Sequence, residues 1–473
     1  MFKQMMLILG VLGLLASIVL TKGQAAVTAV NNNSMSYLDN GHIRLGADLS
    51  IGGAVTYLSK SGQTDNLINS FDWGRQVQLS FYSGPVPFRP TGATLAKEWE
   101  ALGWNPIQAG DHYKHGSKVI AHHNDGNVLR IKCVPMIWPL DNVPAECTFE
   151  TEYRLVGNTV EVDCRLNNAR ADANQYAGRD QELPAVYTCG KWYKLVSYLG
   201  DKPFTGAPLT TLVDYNDGKG WPWLSFFGTE HWAALVNRHD QGLGVFEAEA
   251  FRFSGGFAGA SKGSGGPKDN QTGYMSPIIG EILDHNIVYT YRYVLIVGTL
   301  SEIRQYACAQ NRQKGLPAWR FETNRQHWIY ENTTDAGWPI KGELCINLGK
   351  ADAAMVSPLT FWRAEVATKL RVEAAFETSA KELQIVVEPF TEQERRGWPC
   401  WGEGATKPDK PHISPVKLPI VGDGKLRTYE ADLSSSSGYR GSMIRLKLIL
   451  PSGPGVARVR LIALIGKQVT PDK

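Results

Sequence analysis

Three groups of residues carry side chains suited to a hydroxyl-rich ligand. Arg75, Gln76 and Gln78 form the first. Trp104, Asn105, Gln108, Asp111, His112 and His115 follow in a stretch rich in Pro, Gly and Trp. Arg179, Glu182 and Tyr187 form the third. Planar amides, guanidinium forks and carboxylates pair with adjacent hydroxyls. Trp104, Trp192, Trp221 and Trp223 offer flat apolar surfaces for the apolar face of a sugar.

Two kinds of catalysis fit these residue types. Glycoside hydrolysis needs two carboxyl groups about 5–9 Å apart, and Asp111 and Glu182 are the candidates. Lyase chemistry on a uronic acid needs a base, for which Tyr187 or His115 would serve. It also needs groups that neutralise the carboxylate, for which Arg75 or Arg179 with Asn105 would serve. The same residues would also build a glycan-binding surface without turnover, and a structural or adhesive protein needs neither. Depth separates the three: a deep pocket with convergent polar groups fits an enzyme, a shallow aromatic groove a binder, a packed face neither. Each residue also has a plainer role open to it. Arg75 and Asp72 could be a structural pair, and Trp221 and Trp223 core or rim.

The elements that must position these residues read as strands. Val77, Leu79 and Phe81 alternate with Gln76, Gln78, Ser80 and Tyr82, the period of a strand with one apolar face. The other face carries no Lys or Glu, unlike an ordinary solvated face. A loop over 83–116 follows, and its length points to function. Strands are expected at 118–122, 128–137, 147–155 and 160–166, with turn residues between them in the manner of antiparallel meanders. Further strands are expected at 223–227, 231–237, 243–249 and 286–297, with a mobile Gly/Ser-rich loop at 254–273. The best helix candidate is 300–311. Beyond it, 359–378 reads as strand, and the later segments alternate as strands again.

The chain has 473 residues, enough for two or three domains. A net charge of +3 at this length gives no pointer to nucleic acid or an anionic membrane surface. Residues 1–25 read as an export signal: Lys3, an uncharged apolar run, then small residues, with cleavage after Ala25. The expected location is secreted or periplasmic, with no membrane span once the signal is removed. Seven cysteines include no close pair of the metal-ligand type, and neither a metal nor another cofactor is expected. Cys133 and Cys147 flank a turn, so a disulfide and two buried thiols are both open.

Residues 37–306 resemble the galactose-mutarotase-like β-supersandwich found in aldose epimerases and in domains of polysaccharide lyases and glycoside hydrolases. The resemblance is carried by Gly52-Gly53-Ala54, by Asn66 and Asn69, and by Asp72-Trp73-Gly74-Arg75. Trp104-Asn105-Pro106 with Gln108 to Asp111, Gly242 to Val245, and the strand before Glu302 to Arg304 carry it further. It implies an all-β chain: a large antiparallel two-sheet supersandwich over 37–309, a linker over 310–319, and a C-terminal β-sandwich over 320–467. The last part is similar to a jelly-roll carbohydrate-binding module through Gly422-Asp423-Gly424, Arg427 to Tyr429, and Asp432-Leu433. The implied partner is an oligosaccharide or polysaccharide. The catalytic His and Glu settings of aldose epimerases are not matched here, so that activity does not carry over.

Overall fold

The computed structural model describes residues 34–212, 222–310, 315–399 and 408–466. The expected signal, Trp221 and Cys400 lie outside the described residues. The chain is all-β; among the described residues every strand pairs antiparallel, and the strands build four sheets around two main cores.

The first sheet runs in the order Met35–Asp39, Ile43–Asp48, Ala54–Lys60, Val77–Ser80, Arg179–Cys189, Thr272–Glu281, Arg252–Ala258, Leu224–Phe227 and Trp398–Pro399. The second runs Thr210–Leu212, Lys194–Ser197, Trp232–Val236, Gln241–Phe246, Val288–Thr299, Thr159–Asn168, Cys147–Val156, Val128–Val134 and Lys118–Asn124. Alternation decides which side chains meet between them. Along Cys147–Val156, Cys147, Phe149, Thr151 and Tyr153 are buried while Thr148, Glu150, Glu152 and Arg154 are partly exposed. Phe149 meets Phe81 at 5.1 Å between ring centroids, joining the two sheets through one core.

The helix Leu300–Ala309 is fixed at its start by a capping box, in which Thr299 and Glu302 satisfy each other's backbone N–H groups. It buries Ile303 and Ala307 against the second sheet. Gly244 lies beneath: a Cβ there would sit 2.4 Å from Ile303.

The stretch 254–273 departs from the loop expected of it. Arg252–Ala258 is an inner strand of the first sheet, and Thr272 begins its neighbour. Gly256 serves close packing there: a Cβ would lie 2.1 Å from the Pro222 carbonyl oxygen. The expected strand over 359–378 is two pieces, Trp362–Arg363 and Lys369–Glu377, in different sheets.

The C-terminal part is a second sandwich. One sheet holds Ala318–Arg320, Gly455–Ile465, Lys369–Glu377 and Arg427–Asp432, with Leu344–Leu348 also on Gly455–Ile465. Its partner holds Ile329–Glu331, Ala354–Val356, Ser442–Ile449, Glu382–Pro389 and Val416–Pro419, with Trp362–Arg363 also on Ser442–Ile449. Of the stretch read as a linker, Ala318 and Trp319 lie in a strand.

The two sandwiches share structure. Trp398–Pro399, reached after the C-terminal sandwich has begun, pairs with Leu224–Phe227 and closes the edge of the first sheet. Trp398 packs with Phe227, Phe251, Phe390 and Ile444, side chains drawn from both parts.

Cys133 and Cys147 lie on neighbouring strands, but Cys133 stands opposite Phe149, and both are free buried thiols. Burial pushes Cys133 up to about 12, so it stays protonated.

Candidate functional site

The sheet face that Gln78, Ser80 and Tyr82 present is covered by the 83–116 loop. A loop of this length has few ladder partners of its own, and its buried peptide groups need others. The polar residues of the candidate groups supply many of them. Asn105 donates to the Phe81 carbonyl at 2.7 Å. Gln108 donates to the Gly52 carbonyl and accepts from Leu79 N–H. Gln78 donates to the Trp73 carbonyl and accepts from Ala109 N–H. Gln76 donates to the Asp72 carbonyl at 2.6 Å. Arg179 donates to the carbonyls of Ser83, Ala101 and Leu102 and is buried beneath the loop.

Arg75 is 5% exposed. Its guanidinium donates to the Asn270 backbone and side-chain oxygens at 2.7 and 2.9 Å and pairs with Asp72 at 3.1 Å. It pins the 259–271 connection to the start of the strand, so the structural pairing with Asp72 is the one observed. Trp104 is 1% exposed, inside the first core, and offers no platform to a ligand. Asp111 is buried and accepts from His115 N–H and the His115 ring, which closes the loop on itself, and from Asn142 N–H, which ties it to the turn at 141–142. Trp192 is likewise buried in the first core.

Glu182 and Tyr187 are brought together by an irregularity. Five residues apart, they would point to opposite faces of a regular strand. The register shifts between Glu182 and Ala185, inserting a bulge, and both side chains then face the same recess. The Glu182 carboxylate accepts from Tyr82 Oη at 2.6 Å and from Tyr274 Oη. Burial raises its pKa, and the two phenol hydrogen bonds offset that only in part. Burial, with the Glu182 charge beside it, holds the Tyr187 hydroxyl well above the ordinary phenol range, so Tyr187 is poorly suited to be a base.

The recess has a volume of about 20 Å³, room for about one water-sized group. Gln78, Ser80, Asn105, Trp138, Glu182 and Tyr187 line it. The side-chain Oδ1 of Asn105 and the Trp138 indole N–H find no partner among the described residues. Ser80 Oγ lies beside Glu182 yet makes no well-formed hydrogen bond. Tyr187, Trp223 and Tyr274 form an aromatic cluster alongside, with Tyr274 4.9 and 5.0 Å from the other two rings.

No family model matches the chain. No curated protein matches it. Solved structures similar to it include a putative aldose 1-epimerase from Escherichia coli K12, at 12% identity and a TM-score of 0.35 over 56% of this chain and 99% of that one. A galactose mutarotase-like protein from Lactobacillus casei has 11% identity and a TM-score of 0.35 over 56% and 99% of the two chains. A GH36 alpha-galactosidase from Geobacillus stearothermophilus has 13% identity and a TM-score of 0.35 over 58% and 41%. These are the kinds of protein that the sequence resemblance named. At this similarity the likeness carries no inference about activity or site, and the architecture rests on the strand pairing above.

Ser80, Tyr82, Tyr274 and Trp138 are polar or aromatic site residues that the sequence groups omit. Tyr82 had a signal, the alternation that places it beside Ser80. Tyr274 had none, because its strand begins inside the stretch that reads as a loop. Among the described residues, no group of three or more His, Cys, Asp or Glu side chains could hold a metal ion, and no helix is long and apolar enough to cross a membrane.

Proposed function

We propose that this is an exported carbohydrate-active protein that engages a glycan at the Glu182 face of its first sheet. Export rests on the leader-like residues 1–25. The observation that carries the site is the setting of Glu182: a buried carboxyl between two phenols, with Asn105 Oδ1 and Trp138 Nε1 left over beside it. Buried polar groups without partners cost about 1–3 kcal/mol each. Two of them, in residues that line the same recess as Glu182, favour a polar occupant with both donors and acceptors, such as a sugar hydroxyl. The recess admits a hydroxyl and not a sugar ring, so it reads one position of a ligand lying at its mouth. A carboxyl whose pKa is raised by burial keeps its proton nearer neutrality than an ordinary glutamate, which suits a proton donor.

The experiment is calorimetric titration of neutral and acidic oligosaccharides into the wild type, Glu182→Gln and Tyr274→Phe. Tyr274→Phe keeps the ring and removes one hydrogen bond to Glu182, so it is expected to weaken binding about five- to tenfold. Wild-type affinity in both variants, with the fold intact, would place the ligand elsewhere.

A further inference from the structure

The two sandwiches meet along a cleft of about 800 Å³, within the size range of small-molecule sites. It shares no lining residue with the Glu182 recess. Both parts of the chain build it. Glu281 ends one strand of the first sheet, and Glu249 follows Gln241–Phe246 of the second. His327 comes from the C-terminal part, between Ala318–Arg320 and Ile329–Glu331.

These three form a relay on the cleft wall. His327 Nδ1 lies 2.9 Å from Glu281 Oε2, and Nε2 lies 2.5 Å from Glu249 Oε2. Gln326 and His327 hold φ values of 49° and 59°, a left-handed conformation in two consecutive residues that are not glycine. Arg325 anchors the turn through Asp284 and Asp335, each at 2.7 Å. The Glu249 side chain is 65% exposed, so its carboxylate is open to the cleft. Tyr289 Oη is buried at the same wall and has no hydrogen-bond partner among the described residues. His231 also lines the cleft. Its Nδ1 is held by the Ala250 carbonyl, and burial keeps the ring neutral, which leaves Nε2 as an acceptor. Trp338 and Phe361, half-buried, supply apolar wall.

Charge selects the class of ligand. Among the described lining residues the cations are Arg325 and His327, each held between two carboxylates. Neither is free to meet an anion, and the Glu249 carboxylate, paired with His327 through Oε2, is the exposed member of the group. The described lining residues therefore disfavour uronates, sulfates and phosphates. We infer that this cleft is a second ligand site, taking a neutral sugar unit through Glu249, Tyr289 Oη and the aromatic wall. It rests on the glycan reading above for the class of ligand, and on nothing at Glu182 for its geometry.

The test titrates neutral gluco-, manno-, galacto- and xylo-oligosaccharides, and oligogalacturonate as the acidic counterpart, into the full mature chain and into Tyr289→Phe, Glu249→Gln and Glu182→Gln. A neutral oligosaccharide is expected to bind the wild type, and Tyr289→Phe and Glu249→Gln are each expected to weaken it about five- to tenfold. Tyr289→Phe removes a buried hydroxyl that has no hydrogen-bond partner among the described residues, so it should not lower the melting temperature, and it decides the matter if Glu249→Gln folds poorly. Loss of binding confined to the two cleft variants supports the second site and leaves the Glu182 reading to fail alone. Loss confined to Glu182→Gln overturns the second site and leaves the first. Binding of oligogalacturonate alone, or of no member of the panel, also overturns it.

Discussion

Replacing Glu247 by glutamine tests the electrostatics beneath the cleft through a property that needs no ligand. Glu247 is 3% exposed, and one carboxyl oxygen accepts from Glu249 N–H at 2.9 Å. Burial, followed by the charge of Glu249, raises its pKa from 4.5 to about 8, against the opposing pull of His327. Glu281 and the Tyr289 phenol stand near the same group of charges, since His327 bonds Glu281, and both Glu247 and Glu281 act on Tyr289. Between pH 4.5 and 8 the folded chain therefore holds a proton that the unfolded chain has released, so stability falls as pH rises through that window. One pKa unit is worth about 1.4 kcal/mol, so the full cost above pH 8 is on the order of 5 kcal/mol as an upper bound. Glutamine is the uncharged isostere and does not incur it. His327 runs in the same direction at higher pH: raised to about 10, it adds stability that is complete below 6.5 and is lost as pH rises through 10. His327 is raised by Glu249 and Glu281, which both proteins keep, so most of that contribution cancels in their difference. Urea unfolding from pH 5 to 9 should show the two proteins nearly equal at pH 5. Glu247→Gln should then pull ahead by about 2–5 kcal/mol at pH 9. Parallel pH profiles, or a variant that is less stable throughout, would refute the reasoning.

Three further outcomes are expected. Arg75→Ala leaves Asn270 and Asp72 without their shared partner, so it should cost roughly 2–4 kcal/mol in thermal unfolding, and any loss of ligand binding should track the loss of folded protein. Trp398→Ala removes a side chain packed against both sandwiches and weakens the closing edge strand. It should cost about 3–5 kcal/mol and make the chain more sensitive to limited proteolysis, and unchanged sensitivity would mean the two parts hold together without it. Sequencing of exported protein should begin at Ala26, and a retained Met1 would reject cleavage.

Much of the fold was legible because alternation is a direct consequence of strand geometry, as along Cys147–Val156, where each second side chain enters the core. The strand over Arg252–Ala258 was hidden by Gly255 and Gly256. Their composition suggests flexibility, while their position, against Tyr274 O and Pro222 O, requires the absence of a Cβ. The site was legible in part, for a chemical reason. Amides and guanidinium groups that suit sugar hydroxyls suit the peptide groups of a covering loop equally well. Gln78, Asn105, Gln108 and Arg179 bond to loop and strand backbone, and residue type alone does not separate the two uses. Glu182 was visible as a carboxylate. The bulge that turns Tyr187 toward it, and the two phenols that hold it, follow from register and from distant strands. The His327 relay joins residues far apart in sequence and left no local pattern.

The most direct measurement of the central claim is a screen of the mature wild type and Glu182→Gln against a polysaccharide panel, reading both retention and the release of reducing or unsaturated ends. The Glu182 account predicts that at least one polysaccharide retards the wild type, and that any new ends it releases disappear in Glu182→Gln while retention persists at least in part. Wild-type retention and release in a folded Glu182→Gln, or no retention of the wild type by any polysaccharide, would contradict it.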